Sequence, residues 1–171
     1  MRDAGTFTFI PACSRDFVID NAKTIGMWKY NSDGIDIFNC QNVVIRNCFL
    51  RNFDDCIVIK GMVGWDTQNL ENILVENCVI WCDWGGALEI GAETNADYYK
   101  NITFRNCDII HGNMAMMRIH HHNRALITNV TYEDIKAEFT KYCLPLKFIE
   151  EGKPYAGEEG KGQPYLFVAI L

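Results

Sequence analysis

Asn31-Ser32-Asp33-Gly34-Ile35-Asp36-Ile37 and Phe53-Asp54-Asp55-Cys56-Ile57-Val58-Ile59-Lys60 both place aspartate directly ahead of a short alternating apolar run, and Asp33 lies 21 residues before Asp54. Carboxyl groups that share one site divide their labour. Like charges disfavour a second ionisation, so one group keeps its proton and serves as a general acid while another stays ionised and activates water. Taken singly, each Asp-led stretch reads as an ordinary turn, because Asp and Asn favour turns. What decides between the two readings is whether Asp33, Asp54 and Asp55 face one another.

The elements that would position them come from an internal repeat. Asn42-Val43-Val44-Ile45-Arg46-Asn47-Cys48 returns as Asn72-Ile73-Leu74-Val75-Glu76-Asn77-Cys78, then as Asn101-Ile102-Thr103-Phe104-Arg105-Asn106-Cys107. A weaker copy starts at Asn129, so the steps are 30, 29 and 28 residues, and a poorer early copy starts at Asp16. Each copy carries a period-2 apolar run. A second alternating run follows in each unit (Ile35/Ile37, Ile57/Ile59, Leu88/Ile90, Met117/Ile119) with no helical pattern between them. This predicts an all-β chain, a right-handed single-stranded parallel β-helix of about six coils. A leucine-rich repeat would need a helical half, and a propeller blade would need longer units and tight hairpins. Residues 1–149 form the coils; 150–171, rich in Gly, Glu, Lys and Pro, form a loop and a terminal strand around Tyr165–Ala169 of the same domain. Stacking puts Asn21, Asn47, Asn77 and Asn106 in one column of turn amides and Cys48, Cys78 and Cys107 in a neighbouring buried column. Met114, Met116 and Met117 read as packing.

Aligning the second runs places Asp33, Asp55, Gly86 and Ala115 in one column and Asp36, Val58, Glu89 and Arg118 in an outward one. Phe38, Lys60, Gly91 and His120 fall in the next outward column. Coils stack about 4.8 Å apart, so Asp33, Asp54, Asp55, Lys60, Glu89, Arg118 and His120 are expected in one cluster, with Trp28, Trp65, Trp81 and Trp84 in adjoining loops. Acids beside tryptophans in a shallow groove suit a sugar chain, whose apolar faces stack on aromatic rings. The competing readings are plainer: Lys60 and Arg118 as partners of nearby acids, the tryptophans as core packing, and His120-His121-His122 as a solvated strand end, a substrate contact or a metal site.

A net charge of −6 and a pI near 5.2 argue against a nucleic-acid partner. No apolar run approaches the roughly 20 residues that span a bilayer, and no signal-peptide pattern opens the chain. None of the eight cysteines forms a CxxC zinc motif, and no metal is expected.

These residues resemble glycoside hydrolase family 28, the polygalacturonases and their relatives, from about Asp16 to Ile135. Asn31-Ser32-Asp33-Gly34 is similar to the family's Asn-Thr-Asp-Gly element, Phe53-Asp54-Asp55-Cys56 to Gly-Asp-Asp-Cys, Gly85-Gly86-Ala87-Leu88-Glu89-Ile90-Gly91 to Gly-His-Gly-Leu-Ser-Ile-Gly, and Arg118-Ile119-His120 to Arg-Ile-Lys. The resemblance implies a pectin-lyase-type β-helix, inverting hydrolysis of a polysaccharide or oligosaccharide, and no cofactor. It makes Asp54 the general acid, with Asp33 and Asp55 positioning and activating water. Arg118, His120, Lys60, Glu89 and Trp84 become substrate contacts. It also implies that Cys56 and Cys82 lie close, with a disulfide as one outcome, and that the protein works in an extracellular or periplasmic space.

Two motifs depart from the pattern. Gly86 stands where the family has histidine and His120 where it has lysine, which points to a sugar other than galacturonate. The dextranase-like family 49 also carries three aspartates on a β-helix. A non-catalytic glycan-binding β-helix and a polysaccharide lyase or epimerase are the alternatives; end-to-end self-association, or membership of a longer solenoid, is a further expectation.

Overall fold

The computed structural model describes residues 1–138 apart from 27, 63, 65–68 and 124, together with the backbone of 144–150. It is built from parallel strands with no helix among the described residues. Each coil runs along three faces. The first face stacks β1 (Arg15–Asp20), β4 (Gln41–Arg46), β7 (Leu70–Glu76), the first half of β10 (Tyr98–His111) and β12 (Leu126–Ala137). The second stacks β2 (Lys23–Thr24), β5 (Phe49–Asn52), β8 (Val79–Cys82) and the second half of β10. The third stacks β3 (Ile35–Phe38), β6 (Ile57–Gly61), β9 (Gly86–Thr94), β11 (Ala115–His121) and β13 (Leu144–Glu150).

The parallel β-helix expected from the repeat is therefore present, at about four turns rather than six. The difference lies at the ends. The first coil joins only through bridges from Arg2 to Ile25, Phe9 to Ile35 and Ala12 to Phe38, and the loop and terminal strand expected within 151–171 lie outside the described residues.

The repeat becomes register. Ile19 pairs with Ile45, Ile45 with Val75, Val75 with Phe104 and Phe104 with Tyr132. All five side chains are buried. Phe104 and Tyr132 stack with ring centroids 4.8 Å apart. On the third face Ile35, Ile57 and Leu88 form one inward column and Ile37, Ile59, Ile90 and Ile119 the next. Burying each such side chain contributes about 1.5–3 kcal/mol, so the columns are the main cohesive force between coils. Cys48, Cys78 and Cys107 are buried, and each thiol donates to the carbonyl two residues before it.

Sharp corners let a flat strand turn into the next face, and asparagine supplies them. Asn21, Asn47, Asn77 and Asn106 all have positive φ (48–56°), a conformation that Asn tolerates better than most residues. Their amide ladder is partial: Asn106 donates to Asn77 at 2.6 Å, but Asn47 donates to Asp20. The continuous ladder stands at the opposite end of the first face. There Asn129 donates to Asn101, Asn101 to Asn72, Asn72 to Asn42 and Asn42 to Asp16, at 2.6–3.0 Å, and all five residues have positive φ.

Asn72 sits mid-ladder with bonds both up and down. Asn72→Ala is expected to cost about 2–3 kcal/mol, combining left-handed backbone strain with two lost hydrogen bonds. Asn72→Gly, which removes only the bonds, should cost about half that. Denaturant unfolding of both variants measures the split.

Candidate active site

The loops that lead into the third face do the positioning. Gly34 N–H donates to the Asp55 carbonyl at 2.8 Å, Ile35 N–H to the Cys56 carbonyl and Cys56 N–H to the Gly86 carbonyl, both at 2.9 Å. These bonds carry the strand register back into the loops and set Asp33, Asp55 and Gly86 side by side. Gly34 is needed here, because a Cβ would collide with the Cys56 carbonyl and the Asn52 amide. Asn52, fully buried beneath the loops, accepts from Thr24 Oγ1 at 2.7 Å and donates to the Ser32 carbonyl at 3.2 Å. It holds the Asp33 turn from below, a role that nothing in its sequence context signals.

The result is a groove of about 420 Å³. Seven of the eight residues expected to be catalytic or substrate-binding line it: Asp33, Asp54, Asp55, Lys60, Trp84, Arg118 and His120. Glu89 is the exception. It is fully buried and presents no surface to the groove.

Below the groove, two cations each bridge two carboxyl groups. Lys60 Nζ lies 3.0 Å from Asp33 Oδ2 and 3.4 Å from Asp36 Oδ2. Arg118 Nη2 lies 3.3 Å from Asp55 Oδ1 and 2.5 Å from Glu89 Oε2. Asp36 and Glu89 share an outward column, as the alignment required, but their neighbours cover them completely. Glu93 joins the Lys60 group at 3.9 Å. It arrives there through a local slip: after Ile59↔Ile90 the next pair is Gly61↔Thr94, so β9 bulges opposite Lys60. Gly91 makes the bulge possible with φ of 101°, where any Cβ would strike the His120 carbonyl. The simple column that put Lys60 beside Gly91 is corrected accordingly.

Burial dominates the titration of these acids. It pushes Asp33 up to about 7, with Lys60 opposing and Asp55 and Asp54 assisting. It raises Asp36 and Glu89 far above the usual carboxylate range. Asp54 is also raised, by burial and then by the charge of Asp55. Burial alone would lower Lys60, but Asp36 and Asp33 outweigh it and hold its pKa above the ordinary value. Asp54 differs from the other acids in its partners. Its carboxyl accepts from the backbone N–H groups of Asn31 (2.8 Å) and Asp55 (3.1 Å), and among the described residues no ion pair reaches it.

The walls are aromatic. Tyr30 packs edge-on against Phe53 and Trp84, with centroids 5.3 and 5.1 Å away, and Phe53 lies parallel to Trp84 at 6.0 Å. Tyr30 is 66% exposed and Trp84 36% exposed, so both are open to a ligand. Phe7 covers Lys60 at 5.0 Å. At the far end the His120 and His122 Nε2 atoms meet at 2.5 Å. Met114, read from sequence as packing, lines the groove and accepts from Arg118 Nη1 at 2.8 Å.

Of the other tryptophans, Trp28 and Trp81 sandwich Arg51 at 4.8 and 4.6 Å, away from the groove, and Trp81 belongs to β8 rather than to a loop. Trp65 lies outside the described residues. The Cys56 and Cys82 thiols are in hydrogen-bonding contact and both are free. Among the described residues no cluster of His, Cys, Asp or Glu has the arrangement of a metal site.

Three acids thus stand at the heads of stacked coils, each with a different set of partners. The profile of Glycosyl hydrolases family 28 matches residues 7–152. The chain belongs to this family. Among relatives of the family, Exopolygalacturonase rpg15 of Rhizopus delemar is 25% identical over 76% of the chain and 34% of its own length. Probable endopolygalacturonase A of Neosartorya fischeri is 28% identical over 91% of the chain and 40% of its own length. Probable polygalacturonase At3g15720 of Arabidopsis thaliana is 31% identical over 43% of the chain and 21% of its own length. The chain thus spans well under half the length of these family 28 relatives. No solved structure matches it.

The raised acids make stability pH-dependent. A carboxyl whose folded pKa is raised binds its proton more tightly in the folded chain. Its contribution is complete below the unfolded value near about 4 and is lost as pH climbs through the folded value. For Asp33 the window runs from about 4 to about 7. Stability should therefore fall by up to about 4 kcal/mol between these limits, and Asp33→Asn should flatten the profile. Urea unfolding at about pH 3.5 and about pH 7.5, values that bracket this window, measures both.

Proposed function

We propose that this chain carries the catalytic groove of a glycoside hydrolase that cleaves a pectic polysaccharide or oligosaccharide with inversion and without a cofactor. The observation that carries the reading is the unequal treatment of three converging carboxyls. Asp54, raised and served only by backbone N–H groups, is suited to hold a proton and deliver it to the leaving glycosidic oxygen. Asp55 is ion-paired with Arg118 and accepts the Gly86 N–H at 2.7 Å, which suits a carboxylate that stays ionised and draws a proton from water. Asp33, bound to Lys60 on the neighbouring coil, helps to position that water. Attack by water from the face opposite the acid inverts the anomeric carbon.

The relatives' names supply the pectic substrate class, and the groove narrows it. Lys60 and Arg118 are both engaged by acids below the groove, so neither is free to meet a uronate carboxylate. Among the described residues, His120 is the remaining groove side chain able to carry positive charge. A stretch of chain with few free carboxylates fits this lining better than fully ionised polygalacturonate, its sugar faces resting on Tyr30 and Trp84. Polysaccharides of this kind lie outside the cytoplasm, which supports an extracellular or periplasmic site of action.

A second reading, a glycan-binding β-helix without turnover, is supported by the chain's coverage of only 21–40% of the relatives named above. Reducing-sugar release from a panel of esterified, de-esterified and neutral pectic polysaccharides separates the two. Wild-type protein is expected to release sugar, and Asp54→Asn to lose at least about 1,000-fold of that rate while its thermal unfolding is retained, since the step then lacks its proton donor. Unchanged turnover in Asp54→Asn would overturn the hydrolase reading, and binding without turnover in the wild type would establish the second.

A further inference from the structure

Glu89 is the one anticipated site residue that the groove does not admit, yet it lies directly beneath the groove's machinery. It sits mid-strand on β9, with no solvent exposure, beside the side chain of Asp55. Its Oε2 occupies the space above Gly86, where even a single added carbon would collide with it. Arg118 Nη2 holds Glu89 Oε2 and Asp55 Oδ1 at once. One guanidinium charge thus faces two buried carboxyls, and two anions in contact there would leave a net buried negative charge, which is costly.

One proton relieves this, and its location follows from the partners. Asp55 borders the groove and accepts two donors, the Gly86 N–H and Arg118. Glu89 is more deeply buried; Arg118 Nη2 meets its Oε2 at 2.5 Å, and among the described residues its Oε1 has no hydrogen-bond donor. A neutral carboxyl needs fewer donors and can itself donate.

We propose that Glu89 is a positioning residue: a neutral carboxylic acid that donates a hydrogen bond to Asp55, keeping Asp55 ionised and aimed into the groove. The other groups facing it are consistent with that role. Tyr132 on β12 donates to the Arg118 carbonyl at 3.4 Å, and Cys82 on β8 lies within electrostatic range of Arg118; both are neutral near pH 7 because their own values are raised. Burial and then the Asp55 charge push Glu89 upward, with only Arg118 opposing. The arrangement also accounts for Gly86, whose missing side chain is the room that Glu89 occupies.

The role assigned to Asp55 rests on the hydrolase reading; the proton on Glu89 does not. Carbon-13 NMR of protein labelled at glutamate carboxyls, titrated from pH 4 to 8 across the ordinary glutamate range, reads that proton directly. One resonance is expected to keep the shift of a protonated acid throughout and to vanish in Glu89→Gln. If every glutamate carboxyl ionises in the ordinary range, the proposal is wrong. Glu89→Gln, a neutral donor of the same shape, should fold and keep its turnover within about threefold, whereas Glu89→Ala should lose more than about tenfold in kcat with KM little changed. Equal losses in the two variants, or failure of Glu89→Gln to fold, would also overturn it. Absence of turnover in the wild type would sink the hydrolase reading alone, and the titration would still decide the state of Glu89.

Discussion

Parallel pairing between successive coils, in a register that cannot slip, is the constraint on which everything else in this protein depends. Slipping one residue would turn Ile35, Ile57 and Leu88 outward and Asp36, Val58 and Glu89 inward, exchanging a hydrophobic column for buried charge. Asparagines in the left-handed conformation at the corners hold each coil to the same turning point. With the coils locked, side chains about 30 residues apart become neighbours about 4.8 Å apart with no freedom to separate.

That lock explains the chemistry of the groove floor. Asp33 and Asp36 cannot move away from each other, nor can Asp55 and Glu89, so their repulsion is answered by placing one cation between each pair and by retaining protons. Lys60 does this from the coil after Asp33, and Arg118 from the coil after Glu89. The two groups are alike in plan: in each, one acid borders the groove (Asp33, Asp55) and the other is sealed (Asp36, Glu89). Asp54 stands apart, held by backbone alone. Three adjacent acids thereby sit in three different settings, Asp33 with Lys60, Asp55 with Arg118 and Asp54 with backbone N–H groups.

The aromatic wall of Tyr30, Phe53 and Trp84 rises from the same loops that carry the acids, so rings and carboxyls share one support. On the neighbouring face, the Trp28–Arg51–Trp81 stack ends in Trp81 against His111, with centroids 4.9 Å apart, and Asp83 accepts the Trp81 indole N–H at 2.8 Å. Arg51 Nε also lies 3.8 Å from Asp83 Oδ2, so a cation, two indoles and a carboxylate are packed together there.

Much of this was legible in the linear chain because a solenoid converts period into proximity. The spacing of Asn42, Asn72, Asn101 and Asn129, with the alternation of Ile and Val, was enough to specify parallel coils and to bring Asp33, Asp54, Asp55, Lys60 and Arg118 to one groove. Three features were not readable that way. The inaccessibility of Glu89 depends on how completely Arg118 and its neighbours cover it, and alternation distinguishes only inward from outward, not covered from open. The approach of Glu93 to Lys60 depends on a bulge at Gly91, an irregularity that strict periodicity cannot express. The support that Asn52 gives the Asp33 turn ties it to Thr24 and Ser32 of the preceding coil, through contacts of a side chain that no repeat unit pairs. Period dictated which residues meet; burial and local irregularity in three dimensions decided which of them border the groove and which are sealed beneath it.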